Sequence, residues 1–232
     1  NGSLNRSIAK FVADTILFPF QANKLISPLL GRYINYTILW YTCIMKELDF
    51  LIDQKYFYNY KNNIPFLFEE TIPIEISWDE VFFLADQDIV SGADIKKDHY
   101  SGYGMRLKKA DRILKISQVV AKISDIFIKS KWTPASGPSN QHHIYVTLTT
   151  LESLSNAPHE DLDAVFFWSI QGSVIWQIWD KDKQKIEYSF NLSPGQVVYC
   201  PPSRKHNVIS VTPRAGVSLG FLGLKDEMYD RI

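Results

Sequence analysis

The period of the hydrophobic positions changes near residue 140. Over residues 7–58 apolar side chains recur at three and four, in Ile8, Phe11, Val12 and Ile16 and again in Ile38, Tyr41, Ile44, Leu48, Leu51 and Ile52. That is the spacing of helices packed on a core. Pro19 and Pro28 interrupt the stretch, so two or three helices are predicted rather than one. Two short β-branched runs beside prolines, residues 64–68 and 72–76, predict strands. Ser77 and Glu80 then stand at capping-box spacing, which predicts a short helix from Trp78. Beyond a polar loop, residues 102–108 read as a strand. Residues 113–129 place Ile116, Val119, Val120, Ile123, Ile126 and Phe127 on one helical face.

From residue 143 the texture is that of strands alone. Residues 143–150 are β-branched and alternating, and 165–179 form two apolar runs split at Gln171-Gly172. Shorter runs follow at 186–190, 196–200, 207–211 and 217–222. Strands at this spacing, with Gly and Pro turns between them, predict a sandwich or barrel. The expected class is α+β, mainly β, with a helical extension over residues 1–55 and a barrel domain over 56–232.

Composition sets few further limits. Lys plus Arg and Asp plus Glu both number 25, so no overall basic field draws the chain to nucleic acid or to an anionic membrane. No stretch approaches the roughly 20 apolar residues that a membrane span needs. The cytoplasm is the expected compartment, without membrane or nucleic-acid partners. Cys43 and Cys200 are far apart and outside any CxxC pattern, and both are expected to be buried free thiols. Nothing in the sequence specifies an oligomeric state.

The chemistry concentrates in Pro158-His159-Glu160-Asp161 and in the later segment from Leu192 to His206. Residues two apart on an extended chain share a face, so His159 and Asp161 can point to one side, and Asp163 has the same parity. A second histidine from a later strand, His206, completes two imidazoles and a carboxylate. Such a facial set leaves open positions on an octahedral ion and suits non-haem iron(II). His142 and His143 adjoin a strand leading to the same region, and a three-histidine centre is the alternative they offer.

The surround of these residues resembles the Jumonji-C-like cupins. In order it has a strand, P-H-x-D, an apolar strand, a glycine turn (Gly172) with Trp176 nearby, and Pro194-Gly195, Tyr199 and His206. The resemblance extends loosely back to Tyr60-Lys61-Asn62-Asn63-Ile64-Pro65 and to Trp78. It implies a double-stranded β-helix in which His159, Asp161 and His206 bind Fe(II), with 2-oxoglutarate as cosubstrate. The implied activity is hydroxylation of a peptide, protein or small amino-acid-like substrate. Tyr145, Thr147 and Asn156 are expected as cosubstrate or supporting donors.

One position departs from the family. Its members carry a lysine or arginine two residues after the turn glycine, where it pairs with the distal carboxylate of 2-oxoglutarate, whereas this chain has Val174. A buried carboxylate without a cation is costly. The cation must therefore come from another strand, with Arg106 as first choice, Lys108 on the same strand face and Arg214 on a loop near the distal histidine. Otherwise 2-oxoglutarate is not used, and the chain is a metal cupin of another kind (isomerase, epimerase or oxidase) or a binding module with a vestigial site.

Overall fold

The structure, a computed structural model, describes residues 46–90, 104–129, 142–148, 153–154 and 157–222. The chain divides into two compact units, Asn1–Cys43 and Ile44–Ile232, and every described residue belongs to the second. The helical periodicity before residue 46, together with Cys43 and Asn156, lies outside the described residues.

Three helices are described: α1 (Phe57–Lys61), α2 (Trp78–Val90) and α3 (Leu114–Lys129). The strands are β1 (Phe66–Leu67), β2 (Gly104–Lys108), β3 (His142–Thr147), β4 (Ser153–Leu154), β5 (Asp163–Gln171), β6 (Val174–Trp179), β7 (Ile186–Leu192), β8 (Val197–Cys200), β9 (His206–Ser210) and β10 (Arg214–Leu222). They form a six-stranded sheet in the order β1-β8-β5-β10-β3-β2 and a four-stranded sheet in the order β4-β9-β6-β7. Every pairing is antiparallel.

The larger sheet is buried on both faces, and the alternation of its strands separates two cores. On β5, Ala164, Phe166, Trp168 and Ile170 join Ile144, Val146, Val217, Leu219 and Phe221 in the core that faces the helices. Ile116, Val119 and Ile123 of α3 enter the same core, as the helical period predicts. Leu48 and Leu51 do so from a single 3-10 turn over Asp49–Ile52. The intervening residues Val165 and Phe167 turn the other way and meet Val174, Trp176, Ile178 and Val208 between the two sheets. Burial on both faces explains why residues 165–170 read as an unbroken apolar run rather than an alternating one.

Three local expectations are modified. Residues 72–76 alternate in burial but form no ladder, because their polar groups have other partners. The amide of Ile72 donates to the Gly195 carbonyl at 2.8 Å, and Gln171 Nε2 and Lys115 Nζ each donate at 2.8 Å to the carbonyls of Ile76 and Glu75. The capping box forms as predicted, with Glu80 Oε2 accepting from the Ser77 amide at 2.9 Å. The helix it starts runs 13 residues and is not short. The last strand begins at Arg214, opposite Thr147, and not at residue 217. Arg214 is thus a strand residue, not a loop residue.

Two glycines are required by close approach. Gly172 adopts φ +69, and a Cβ there would lie 2.0 Å from the Pro213 carbonyl oxygen and 2.9 Å from the Arg214 Cα. The turn between β5 and β6 is therefore pressed against the start of β10. At Gly216 a Cβ would lie 2.1 Å from Cζ of Phe167, so the absent side chain gives that ring its place between the sheets. We expect Gly216→Ala to destabilise the protein by about 1–3 kcal/mol, as overpacking does, measured by urea unfolding. The double variant with Phe167→Leu should recover part of the loss. An unchanged midpoint for Gly216→Ala would show that the ring yields without cost.

Candidate metal centre and its cleft

His159 precedes β5 and His206 opens β9, and the two are joined backbone to backbone. The amide of His159 donates to the carbonyl of His206 at 3.0 Å, and the amide of His206 donates to that of His159 at 2.8 Å. Facing antiparallel partners project to one side. The imidazoles accordingly stand with their centroids 4.5 Å apart. Two residues on, Asp161 turns its carboxylate to the same side, as strand parity requires. Its oxygens lie 3.8 Å from His159 Nε2 and 3.5 Å from His206 Nε2. The Asp161 carbonyl is tied back by the Ser203 amide at 2.8 Å.

The second nitrogen of each ring determines what the first can do. Nδ1 of His159 lies 2.9 Å from the Ala157 carbonyl, and Nδ1 of His206 lies 2.8 Å from the Arg204 carbonyl. A carbonyl only accepts, so each Nδ1 carries a proton, and the neutral tautomer this selects is the one whose lone pair is on Nε2. Burial pushes the pKa of His206 down, which keeps that ring neutral. Trp176 stacks on it at 4.9 Å with 14° between the planes and holds its orientation. The loop before His206 is fastened by Arg204, which donates to the Trp179 carbonyl at 2.9 Å and to Glu187 at 2.6 Å. Cys200 is buried beside His206, and burial pushes its thiol pKa up. It is a packed free thiol, as expected.

The donor set fits a divalent ion. One ligand atom from each of His159, Asp161 and His206 lies within 4.8 Å of the others. Adjacent ligands on an octahedral ion at about 2.1 Å stand about 3 Å apart, so the two histidine–carboxylate spacings of 3.8 and 3.5 Å close by less than about 1 Å on binding. Two imidazoles and one carboxylate form the facial arrangement associated with iron(II).

The centre lies on a half-open cleft between the sheets, of about 340 Å³ when the solvent at its mouth is included. Tyr145, Phe167, Trp176, Val208 and Ser218 contribute to its walls, and so does Arg214. Arg214 is fully buried, and its Nε donates to Ser210 Oγ at 2.9 Å. Both terminal nitrogens lack a hydrogen-bond partner among the described residues. Its guanidinium carbon lies 5.8 Å from the centre of the Phe167 ring. Burial pushes its pKa down to about 10, which leaves it charged at neutral pH.

The other candidates are placed as follows. Tyr145 lines the cleft, whereas Thr147 is buried beside Arg214 in register and does not. Arg106 sits on the edge strand β2 opposite Tyr145, and neither it nor Lys108 is among the lining residues. Asp163 is buried at the start of β5 and is not part of the ligand group. His142 turns toward Asp111 at 4.0 Å. His143 is pushed down to about 4 by burial and by the charges of Arg106 and Lys108, and neither histidine joins the centre. Arg214 was legible in one respect: the alternation Ala215, Val217, Leu219, Phe221, carried back one residue, puts it on the inner face with Gly216 and Ser218.

No protein-family model and no curated protein matches the chain. Among solved structures it is similar to YcfD, a ribosomal oxygenase from Escherichia coli, in complex with cobalt and succinic acid. The TM-score is 0.53 and the identity 16%, over 75% of this chain and 52% of that one. A second structure of YcfD, with cobalt and 2-oxoglutarate, matches at TM-score 0.51 and 16% identity over the same shares. The chain spans about half the length of these structures, and at such identity the likeness is one of fold. Two antiparallel sheets enclosing the cleft, helices on the outer face of the larger one, and these neighbours together identify the fold as that of a Jumonji-C-like cupin.

Proposed function

We propose that the protein is an iron(II)- and 2-oxoglutarate-dependent oxygenase that hydroxylates a peptide, protein or amino-acid-like substrate. The observation that carries this reading is the ligand set itself. His159, Asp161 and His206 turn three donor atoms to one side, Nδ1 of each histidine lies against a backbone carbonyl, and the group lines a cleft between the sheets. Iron(II) held there supplies dioxygen activation coupled to oxidative decarboxylation of the oxoacid. The chain's residues hold the ligands, fix the His206 ring through Trp176, and line the space beside the centre with Val165, Phe167 and Val208. The fold neighbour's complexes with cobalt and 2-oxoglutarate or succinic acid support the same cosubstrate. That it is a ribosomal oxygenase supports a protein substrate.

A second reading has one specific observation behind it. Val174 is buried on the inner face of β6 at the place where the family carries its cation. On that second reading the protein would be a metal cupin that does not use 2-oxoglutarate. No helix among the described residues is long and apolar enough to cross a membrane.

Two measurements test the reading. Purified protein should bind about one iron(II)-class ion per chain, and His159→Ala and His206→Ala should each lose it while retaining the circular dichroism spectrum of the fold. Unchanged metal content in both variants would remove the assignment. Asp161→Asn should weaken the metal at least about tenfold whereas Asp163→Asn should not, and the reverse ranking would move the carboxylate ligand. For the cosubstrate, iron-loaded protein should convert 2-oxoglutarate to succinate in air. If it neither binds 2-oxoglutarate nor forms succinate with any peptide or amino acid offered, the second reading replaces the first.

A further inference from the structure

Both segments that carry the ligands are tied to one hairpin. Strands β6 and β7 are joined by a turn over residues 180–185 that is closed by its own hydrogen bonds. The Asp180 amide donates to the Lys185 carbonyl at 2.9 Å, and the amides of Lys183 and Gln184 donate to the carbonyl and the side chain of Asp180 at 3.0 and 2.8 Å. His206 stands in register with Ile178 of β6, and the Trp179 amide donates to the Lys205 carbonyl at 2.9 Å. Arg204 completes this link. Its guanidinium donates to the Trp179 carbonyl and to the Glu187 carboxylate on β7, while its own carbonyl receives the Nδ1 proton of His206. On the other segment Glu160 stands between His159 and Asp161. Alternation turns it away from their side, and its carboxylate meets Lys183 Nζ at 2.7 Å. Lys183 has φ +60, a left-handed conformation that suits glycine better than lysine. A long cationic side chain is thus kept where glycine would fit the backbone with less strain.

We propose that the β6–β7 hairpin is the positioning element of the metal centre, with Arg204 and Glu187 orienting His206, and Lys183 and Glu160 orienting His159 and Asp161. This rests on the metal-site reading above. None of the four belongs to the ligand group, so they act through the ligands, as outer partners of metal-bound histidines do. The two links differ in strength. In the Arg204–Glu187 pair the arginine side chain is only 9% exposed, so water screens it little. The Lys183–Glu160 pair is 49% and 36% exposed, and a pair so open to solvent changes an equilibrium by at most about fivefold. Arg204 is the stronger positioning residue and Lys183 the weaker.

The test is titration of the full chain with cobalt(II), followed by the visible ligand-field bands of the bound ion, together with the melting temperature of the metal-free protein. Arg204→Met should weaken cobalt(II) at least about tenfold and shift the bands of the fraction that still binds, because the His206 ring is no longer held. Should that variant fail to fold, Glu187→Ala, which leaves the guanidinium and removes its anchor, decides by the same shift. Lys183→Gly should weaken cobalt(II) by about two- to fivefold without lowering the melting temperature, since the turn loses its strained residue; a merely structural lysine would move both together. Exchanging the charges, Glu160→Lys with Lys183→Glu, should restore affinity relative to either single change. Lys181→Met, an exposed lysine of the same turn, should alter nothing. Bands and affinity that stay at the wild-type values in Arg204→Met, Glu187→Ala and Lys183→Gly overturn the clamp and leave the metal centre standing. Wild-type protein that takes up no cobalt(II) overturns the metal centre and the clamp with it.

Discussion

The two backbone hydrogen bonds exchanged by His159 and His206 are the constraint on which the centre depends. They bring together residues from two different sheets' approaches, one entering β5 and one opening β9, and fix the two side chains to project in parallel. Once that bridge exists, Asp161 follows by parity, and the carbonyls of Ala157 and Arg204 are placed to receive the Nδ1 protons. Ligand identity is a matter of sequence, but the state of each ligand is set by backbone carbonyls within two residues of it.

The rest of the domain supports that bridge by keeping two cores separate. Each strand of the larger sheet gives its alternate residues to the helices and to the barrel interior, and a slip of one residue would exchange them. On β10 the outer set is Ala215, Val217, Leu219 and Phe221, and the inner set begins with Arg214, Gly216 and Ser218. A small or polar inner face leaves room for the cleft, whereas the bulkier inner residues of β5 and β6 close it from the side. Phe167 fits only because Gly216 lacks a Cβ. Packing that reads as ordinary barrel core is thus what keeps a charged side chain dry in the cleft of the candidate metal centre.

A dry guanidinium is costly, and its presence is informative for that reason. A fold optimised for stability alone would place an apolar side chain there, because well-packed hydrophobic residues match or exceed buried charges. Val174 shows the converse, a buried apolar side chain at the position where the sequence resemblance leads to the expectation of a cation. The two departures lie next to each other across one strand pair, Val174 opposite Ser210 and Ser210 bonded to Arg214.

Much of this was legible in the chain. The period of three to four over residues 113–129 gave α3, the capping box gave the start of α2, and Gln171-Gly172 marked the break between β5 and β6. The two histidines and Asp161 were identifiable by residue type, spacing and surround, since ligand chemistry admits few side chains and strand parity is exact. What the sequence by itself determined, then, was which residues could bind a metal and which faces would be buried. What only the tertiary structure decided was the separation of Asp161 from Asp163, the exclusion of Arg106 and Thr147 from the cleft wall, and the arrival of Arg214 within it. The physical reason is that parity and periodicity are local and tell on which side a residue lies, whereas the distance along the barrel axis at which two side chains meet is set by the register of strands far apart in the chain.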